Sequence, residues 1–472
     1  MTVFEGAGSP AIDNQDEALD LIAHGHQASL DNRFPDAESC FRKAIALDAG
    51  LPMAHNNLGW ALYRQDRLGE AIQSYQNALE LNPRLTLAQV NLAALFWTLG
   101  RIDEARVLWL ALMETHAQDQ GLLNGVVSAA LAASDLETAA AAAARLAQLR
   151  RPSGVSRRGE EPPPAIDISP APRITNDKLR HDIAQFQYLR SQGLDTIDLD
   201  DIVGRYERAL EKTRHHGHGV SFAMDAGTRE LIGDVYGRIV HLRDTPRQAR
   251  ALGAWDAKVV ERDYLHHALG LVVIDDFLTR DALESLRQFC LLSTVWFGNR
   301  YSHGRLGAFF RDGFNCPLLI QIAEEIQAAF PLMIGQTHRL EQIWGFKYGH
   351  AQPATNAHAD FAAINVNLWI TPDEANLNPE TGGMIVYDLE APMDWGFKTY
   401  NEHGARISSL LKEKQSSATY IGYKANRAII FNSDLFHATA PVSFRDGYEN
   451  RRVNVTMLFG KRESGPHSGS GA

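Results

Sequence analysis

Four alanines, Ala37, Ala71, Ala105 and Ala139, stand 34 residues apart. The bulky Phe41, Tyr75 and Trp109 keep the same interval, and so do Ala44, Ala78, Leu112 and Leu146. A fixed interval of this length, running through residues 16–150, means a unit too small to bury its own apolar face. Such units are stable only when stacked on copies of themselves. Small residues let the two helices of a unit approach, the aromatic fills the gap between them, and a proline such as Pro83 closes the second helix. The chain therefore opens with an all-α solenoid, whose concave face suits a protein or peptide partner. A purely architectural or dimerising role is the alternative. The fourth unit, alanine-rich around 138–144, breaks the pattern and reads as a cap or a docking surface.

The clearest unit, Asn57-Leu58-Gly59-Trp60-Ala61-Leu62-Tyr63 through Glu80-Leu81-Asn82-Pro83, closely resembles the tetratricopeptide repeat (TPR). Leu92-Ala93 continues the Leu58-Gly59 position one period later. Proline, glycine and charge without apolar periodicity then mark a linker over 151–173. From 174 to 264 apolar residues such as Ile183, Phe186, Leu189, Ile202, Tyr206 and Leu210 recur every three or four positions, which predicts a helical connecting region. A glycine-containing turn accounts for His215-His216-Gly217-His218 without a metal.

At 472 residues and 45% hydrophobic, the chain has room for two or three cores. A formal charge of -11 argues against a general nucleic-acid binder. Three distant cysteines, Cys40, Cys290 and Cys316, imply no disulfide framework. No secretory signal or bilayer-length apolar run is visible, and the expectation is a cytoplasmic protein with no membrane or nucleic-acid partner. Neither a nucleophile elbow nor a glycine-rich phosphate loop appears.

The chemistry concentrates between Tyr348 and Arg452. His358-Ala359-Asp360 places an imidazole and a carboxylate two residues apart, so on a strand both point the same way. His437 supplies a second imidazole from a distant segment. Two imidazoles and one carboxylate on one face of an ion suit Fe(II) and leave positions open. Alternation puts Asn365, Asn367 and Trp369 on one strand face, and Arg452, Asn454 and Thr456 on another.

These residues, in this order, resemble the 2-oxoglutarate- and Fe(II)-dependent dioxygenases, in particular the prolyl-hydroxylase-like branch. The resemblance covers roughly 270–462. It includes Phe346-Lys347-Tyr348 ahead of the triad, Gly382-Gly383-Met384-Ile385-Val386-Tyr387, and Phe436-His437-Ala438-Thr439-Ala440-Pro441-Val442. It implies a multidomain α+β chain: TPR solenoid, helical middle segment, and a double-stranded β-helix (jelly roll) over 265–462, followed by a tail at 463–472. It further implies that His358, Asp360 and His437 hold Fe(II), and that Arg452 binds the far carboxylate of 2-oxoglutarate with help from Tyr348 and Asn454. The interval from His437 to Arg452 is longer than in the nearest relatives, so Arg445 stays a rival anchor.

The implied activity is a hydroxylation by O2 coupled to decarboxylation of 2-oxoglutarate. Aspartate at 360, where related halogenases carry a small residue, implies hydroxylation rather than halogenation. Animal hydroxylases that join such repeats to such a domain act on polypeptides, which makes a protein or peptide side chain the expected substrate. A small metabolite, a carrier-bound amino acid docked by the repeats, or an inactive scaffold are the alternatives. Gln342, Trp344, Trp395, Tyr400 and Arg406 are candidates for the mouth, and 393–417 reads as a helical insert or lid.

Overall fold

The computed structural model describes residues 10–152, 173–194, 198–335 and 337–462. Most of the expected linker and the whole expected tail lie outside these. The chain divides into two compact units, Met1–Ala133 and Ser134–Ala472.

The first unit consists, among its described residues, of the helices Pro10–Leu30, Phe34–Leu47, Pro52–Tyr63, Leu68–Leu81, Thr86–Thr98, Ile102–Thr115 and Gln120–Ala132. Successive helices pack on one another, as the interval of 34 requires. Phe41, Tyr75 and Trp109 are buried together with Ala37, Ala71 and Ala105. Two helix glycines, Gly25 and Gly59, face the ring of the next helix. A Cβ on Gly25 would lie 2.6 Å from Phe41 Cε1, and one on Gly59 would lie 2.7 Å from Tyr75 Cε1. The helix before Pro83 ends at Leu81 with Asn82 as its extended cap.

The fourth repeat is split. Its second helix, Leu136–Leu149, falls in the second compact unit. Ala147 lies against Gly313, the Arg150 carbonyl accepts from Ile239 N at 2.9 Å, and the Arg150 guanidinium pairs with Asp312 at 2.6 Å.

The helical stretch after residue 173 falls in the second compact unit. Thr175 caps Asn176–Ser191, and Asp198 caps Leu199–Thr213. Their apolar faces close over Leu179, Phe186, Leu189, Ile202 and Tyr206. Gln185 Nε2 then donates to the carbonyls of Leu291 and Ser293, at 3.2 and 2.9 Å, fastening this layer to the helix Arg280–Leu292.

The β-rich part contains a six-stranded sheet, wholly antiparallel, in the order Leu271–Ile274, Ala428–Asn432, Ile364–Trp369, Val453–Phe459, Leu340–Lys347, Leu306–Phe309. A three-stranded antiparallel sheet runs Leu435–Thr439, Met384–Glu390, Ala418–Ile421, and Val442–Ser443 pairs with Ala351–Gln352. Trp369, Ile429 and Phe431 from the large sheet share one apolar cluster with Met384, Val386, Ile421 and Leu435 from the small one. Two helices, Phe397–Asn401 and Gly404–Glu413, form the expected insert. No helix of the described residues is long and apolar enough to cross a membrane.

Candidate metal centre

His358 follows the short strand Ala351–Gln352 and lies in a single β-bridge with His437, which sits mid-strand in Leu435–Thr439. Their rings are 4.5 Å apart. His358, Asp360 and His437 each offer a ligand atom, and these atoms all lie within 4.8 Å of one another.

Both rings are aimed by the same device. His358 Nδ1 is 3.1 Å from the Asn356 carbonyl, and His437 Nδ1 is 3.0 Å from the Leu435 carbonyl, in each case two residues upstream. A carbonyl only accepts, so each Nδ1 donates and Nε2 keeps the ring's free lone pair. His437 Nε2 is 3.5 Å from Asp360 Oδ2. Asn365 Nδ2 donates to that same carboxylate at 2.7 Å, and Asn401 Nδ2 reaches Oδ1 at 3.5 Å. Burial pushes the Asp360 carboxyl up. The neighbouring His437, then His358 and the Asn365 amide, outweigh that and hold it below the usual carboxylate range. Enclosure, and then His437, push His358 down to about 4, keeping its lone pair available at neutral pH.

Below the triad lies a polar row. Register pairs Asn367 with Thr456 and Asn454 with Trp369 across neighbouring strands, so the two expected polar faces are one face. Asn454 Nδ2 donates to Asn367 Oδ1 at 2.8 Å and Thr456 Oγ1 donates to it at 2.9 Å. The Asn454 donor is therefore engaged inside the row, while its Oδ1 is buried without a hydrogen-bond partner.

Arg452 is 1% exposed. Its Nε donates to the Gly382 carbonyl at 2.6 Å, its Nη1 is buried without a partner, and its guanidinium lies 4.6 Å from the Tyr348 ring and 5.4 Å from Trp369. Arg445 is exposed, its backbone N–H donating to the Ala375 carbonyl. Of the two, Arg452 is the buried one. The Tyr348 hydroxyl is 2.9 Å from Thr439 Oγ1. Burial raises the Tyr348 pKa, but Arg305, Arg452 and the hydrogen bond from Thr439 overcome this and lower it.

The triad opens into a cleft of about 580 Å³ lined also by Tyr348, Asn367, Asn454, Gln342 and Trp344. Of the other mouth candidates, Tyr400 is buried in an apolar cluster with Ile407 and Phe436, and Arg406 stacks on Trp395 at 4.6 Å. None of these three lines the cleft; Phe397, Asn401 and Glu402 of the insert do. Sequence reasoning missed Arg305 and the role of Asn365. Asn365 stood on the correct face, but its tie to Asp360 depends on a turn whose parity is not readable. Arg305 is brought in only by the register Leu306↔Lys347.

Residues 52–85 and 70–122 match family models described as tetratricopeptide repeat. The peroxisomal targeting signal receptor of Saccharomyces cerevisiae is 31% identical over 98 residues, 21% of this chain and 16% of the receptor. That of Kluyveromyces lactis is 33% identical over 88 residues, 19% of this chain and 16% of the receptor. The chain thus spans about a sixth of these relatives. Among solved structures, the first TPR of Spaghetti (RPAP3) bound to an HSP90 peptide is 21% identical, with a TM-score of 0.25. The match covers 25% of this chain and 95% of that one. MamA is 20% identical with a TM-score of 0.26, covering 27% and 75%.

Proposed function

We propose that the second unit carries a double-stranded β-helix and acts as an Fe(II)- and 2-oxoglutarate-dependent oxygenase that hydroxylates a protein or peptide side chain. The observation that carries this reading is the triad of His358, Asp360 and His437, with both rings fixed at Nδ1 and the carboxylate fixed by Asn365. Three donors of this type on one side of an ion suit non-haem Fe(II). The cosubstrate reading rests on unsatisfied buried atoms around Tyr348, a residue of the cleft lining. The buried, unpartnered Arg452 Nη1 matches a carboxylate, and the Tyr348 hydroxyl is a second donor.

When bound, the iron would supply O2 activation coupled to oxidative decarboxylation of 2-oxoglutarate. The chain's own residues do the rest. Asn356 and Leu435 hold the ring tautomers, Asn365 orients Asp360, and Trp369, Tyr423 and Phe431 keep the interior dry. Arg452 and Tyr348 orient the carboxylate that does not react.

The repeats would present the polypeptide. Their described surface includes a depression of about 390 Å³ lined by Arg42, His55, Leu58, Glu70, Gln73 and Asn77, and side-chain amides bridge units through Asn91 Nδ2 and Asn56 Oδ1 at 3.0 Å. Polar side chains on such a face suit an extended peptide backbone.

The test is formation of succinate from 2-oxoglutarate by the full chain with Fe(II). Turnover that disappears in Asp360→Ala and His437→Ala is expected. Turnover that persists in both, or is absent from the wild-type chain at saturating iron, overturns the proposal.

A further inference from the structure

Arg305 has no part in the roles assigned above. It directly precedes the strand Leu306–Phe309, and the pairing of Leu306 with Lys347 sets it beside Tyr348. Its guanidinium carbon is 4.7 Å from the Phe346 ring centre, 4.8 Å from Tyr301 and 5.7 Å from Tyr348. Its charge also helps to lower the pKa of the Tyr348 hydroxyl. Three aromatic rings around a guanidinium hold its plane by cation–π attraction and leave its remaining N–H groups for an outside acceptor. Arg305 lines the cleft and is only partly exposed, and among the described residues no aspartate or glutamate pairs with it.

Charge counting separates Arg305 from the cosubstrate. A divalent ion held by two neutral imidazoles and Asp360 keeps one positive charge. A 2-oxoglutarate dianion together with Arg452 brings the sum to zero. Glu402 is the other acid of the lining, and it is exposed, as is Arg300. Arg305 is then the partly dehydrated cation left without a counter-charge, on the same tyrosine ring that Arg452 touches from 4.6 Å.

We propose that Arg305 is the acid-recognition group of the cleft, and that the segment entering it carries an aspartate or glutamate side chain. This deepens the oxygenase reading by naming the substrate class. The guanidinium fork takes a carboxylate through two parallel hydrogen bonds, which a carboxamide cannot reproduce. An acid and its amide differ little in size, so the discrimination rests on charge.

The experiment titrates the full chain with acetylated, amidated pentapeptides Gly-Gly-Xaa-Gly-Gly, where Xaa is Asp, Glu, Asn or Gln. Binding is read from tryptophan fluorescence in two states: metal-free, and loaded with Mn(II) and 2-oxoglutarate without oxygen. The expected result is at least tenfold tighter binding of an acidic peptide than of its amide. That preference is lost in Arg305→Gln and partly kept in Arg305→Lys. The affinity for 2-oxoglutarate should fall no more than threefold in Arg305→Gln, against tenfold or more in Arg452→Gln. Equal binding of acid and amide, no binding of any peptide, or a preference that survives Arg305→Gln each overturns the proposal. So does a tenfold loss of 2-oxoglutarate affinity in Arg305→Gln, which would make Arg305 a cosubstrate anchor. Failure of the oxygenase reading shows separately, as wild-type protein that binds 2-oxoglutarate no better with Mn(II) than without it. The acid preference of the metal-free state is scored either way.

Discussion

His358 and His437 exchange both of their backbone hydrogen bonds: His358 N–H donates to the His437 carbonyl at 3.0 Å, and His437 N–H donates to the His358 carbonyl at 2.8 Å. Directly opposed residues in an antiparallel pair project their side chains on the same side. One backbone contact therefore sets both rings toward the same point, where Asp360 meets them.

The first prediction concerns how the carboxylate is aimed. Asn365 donates to Asp360 but is no ligand, so Asn365→Ala should weaken Co(II) binding by about 10- to 100-fold, the usual cost of losing an outer hydrogen-bond partner. His358→Ala should weaken it further. Co(II) titration followed by its visible absorption checks both. Unaltered affinity in Asn365→Ala would remove that residue from the site.

Arg452 and Arg445 should separate cleanly. Arg452→Gln should raise the 2-oxoglutarate concentration needed for half-maximal succinate formation by tenfold or more, because charge-assisted carboxylate hydrogen bonds are each worth roughly 1.5–3 kcal/mol. Arg445→Gln, at an exposed loop position, should change it less than twofold. Steady-state kinetics of the two variants decide the matter.

In the solenoid, Gly59 lies where a Cβ would meet the Tyr75 ring. Gly59→Val should destabilise the repeats by roughly 1–3 kcal/mol, as overpacking of a close helix contact does. Tyr75→Ala should cost about 3–5 kcal/mol through the cavity left behind. Urea unfolding followed by far-UV circular dichroism reads both. The pair Gly59→Val with Tyr75→Ala should be less harmful than the sum of the singles.

Acid stability supplies a fourth prediction. Asp275, at the end of the strand Leu271–Ile274, accepts from Arg427 Nε at 2.6 Å and from Lys424 Nζ at 2.9 Å, and Arg427 first, then Lys424, hold its carboxyl down at about 2. A depressed folded pKa contributes stability that is full above the unfolded value and is lost as pH falls through the folded one. Because Asp275 is 39% exposed, the contribution is on the order of 1 kcal/mol after screening. The urea midpoints of wild type and Asp275→Asn should thus differ most at pH 6 and converge between about pH 4 and 2. A difference that grows toward low pH would reverse the assignment.

Much of this architecture was legible because it is periodic or local. The interval of 34 found the solenoid, and alternation found two polar strand faces, that of Asn367 and that of Asn454 with Thr456, which the register then joins. The two-residue spacing of His358 and Asp360 found most of the triad. What escaped depends on pairings between distant segments. Nothing in the alanines around Ala142 says that their helix packs on the second unit. The place of Arg305 follows from strand register alone, and the internal use of the Asn454 donor follows from a neighbouring strand.

The insert changes what can be exchanged in this molecule. The Tyr400 carbonyl accepts from Ala359 N at 2.9 Å, and Asn401 Nδ2 donates to the Ala359 carbonyl at 2.8 Å. Both polar groups of the residue between His358 and Asp360 are thus splinted by a segment that enters the fold between two strands of the small sheet. Transplanting 393–417 from another protein to retune selectivity would carry away half the scaffolding of the His-x-Asp turn. Rim and centre are one mechanical part, and a redesign of either has to be a redesign of both.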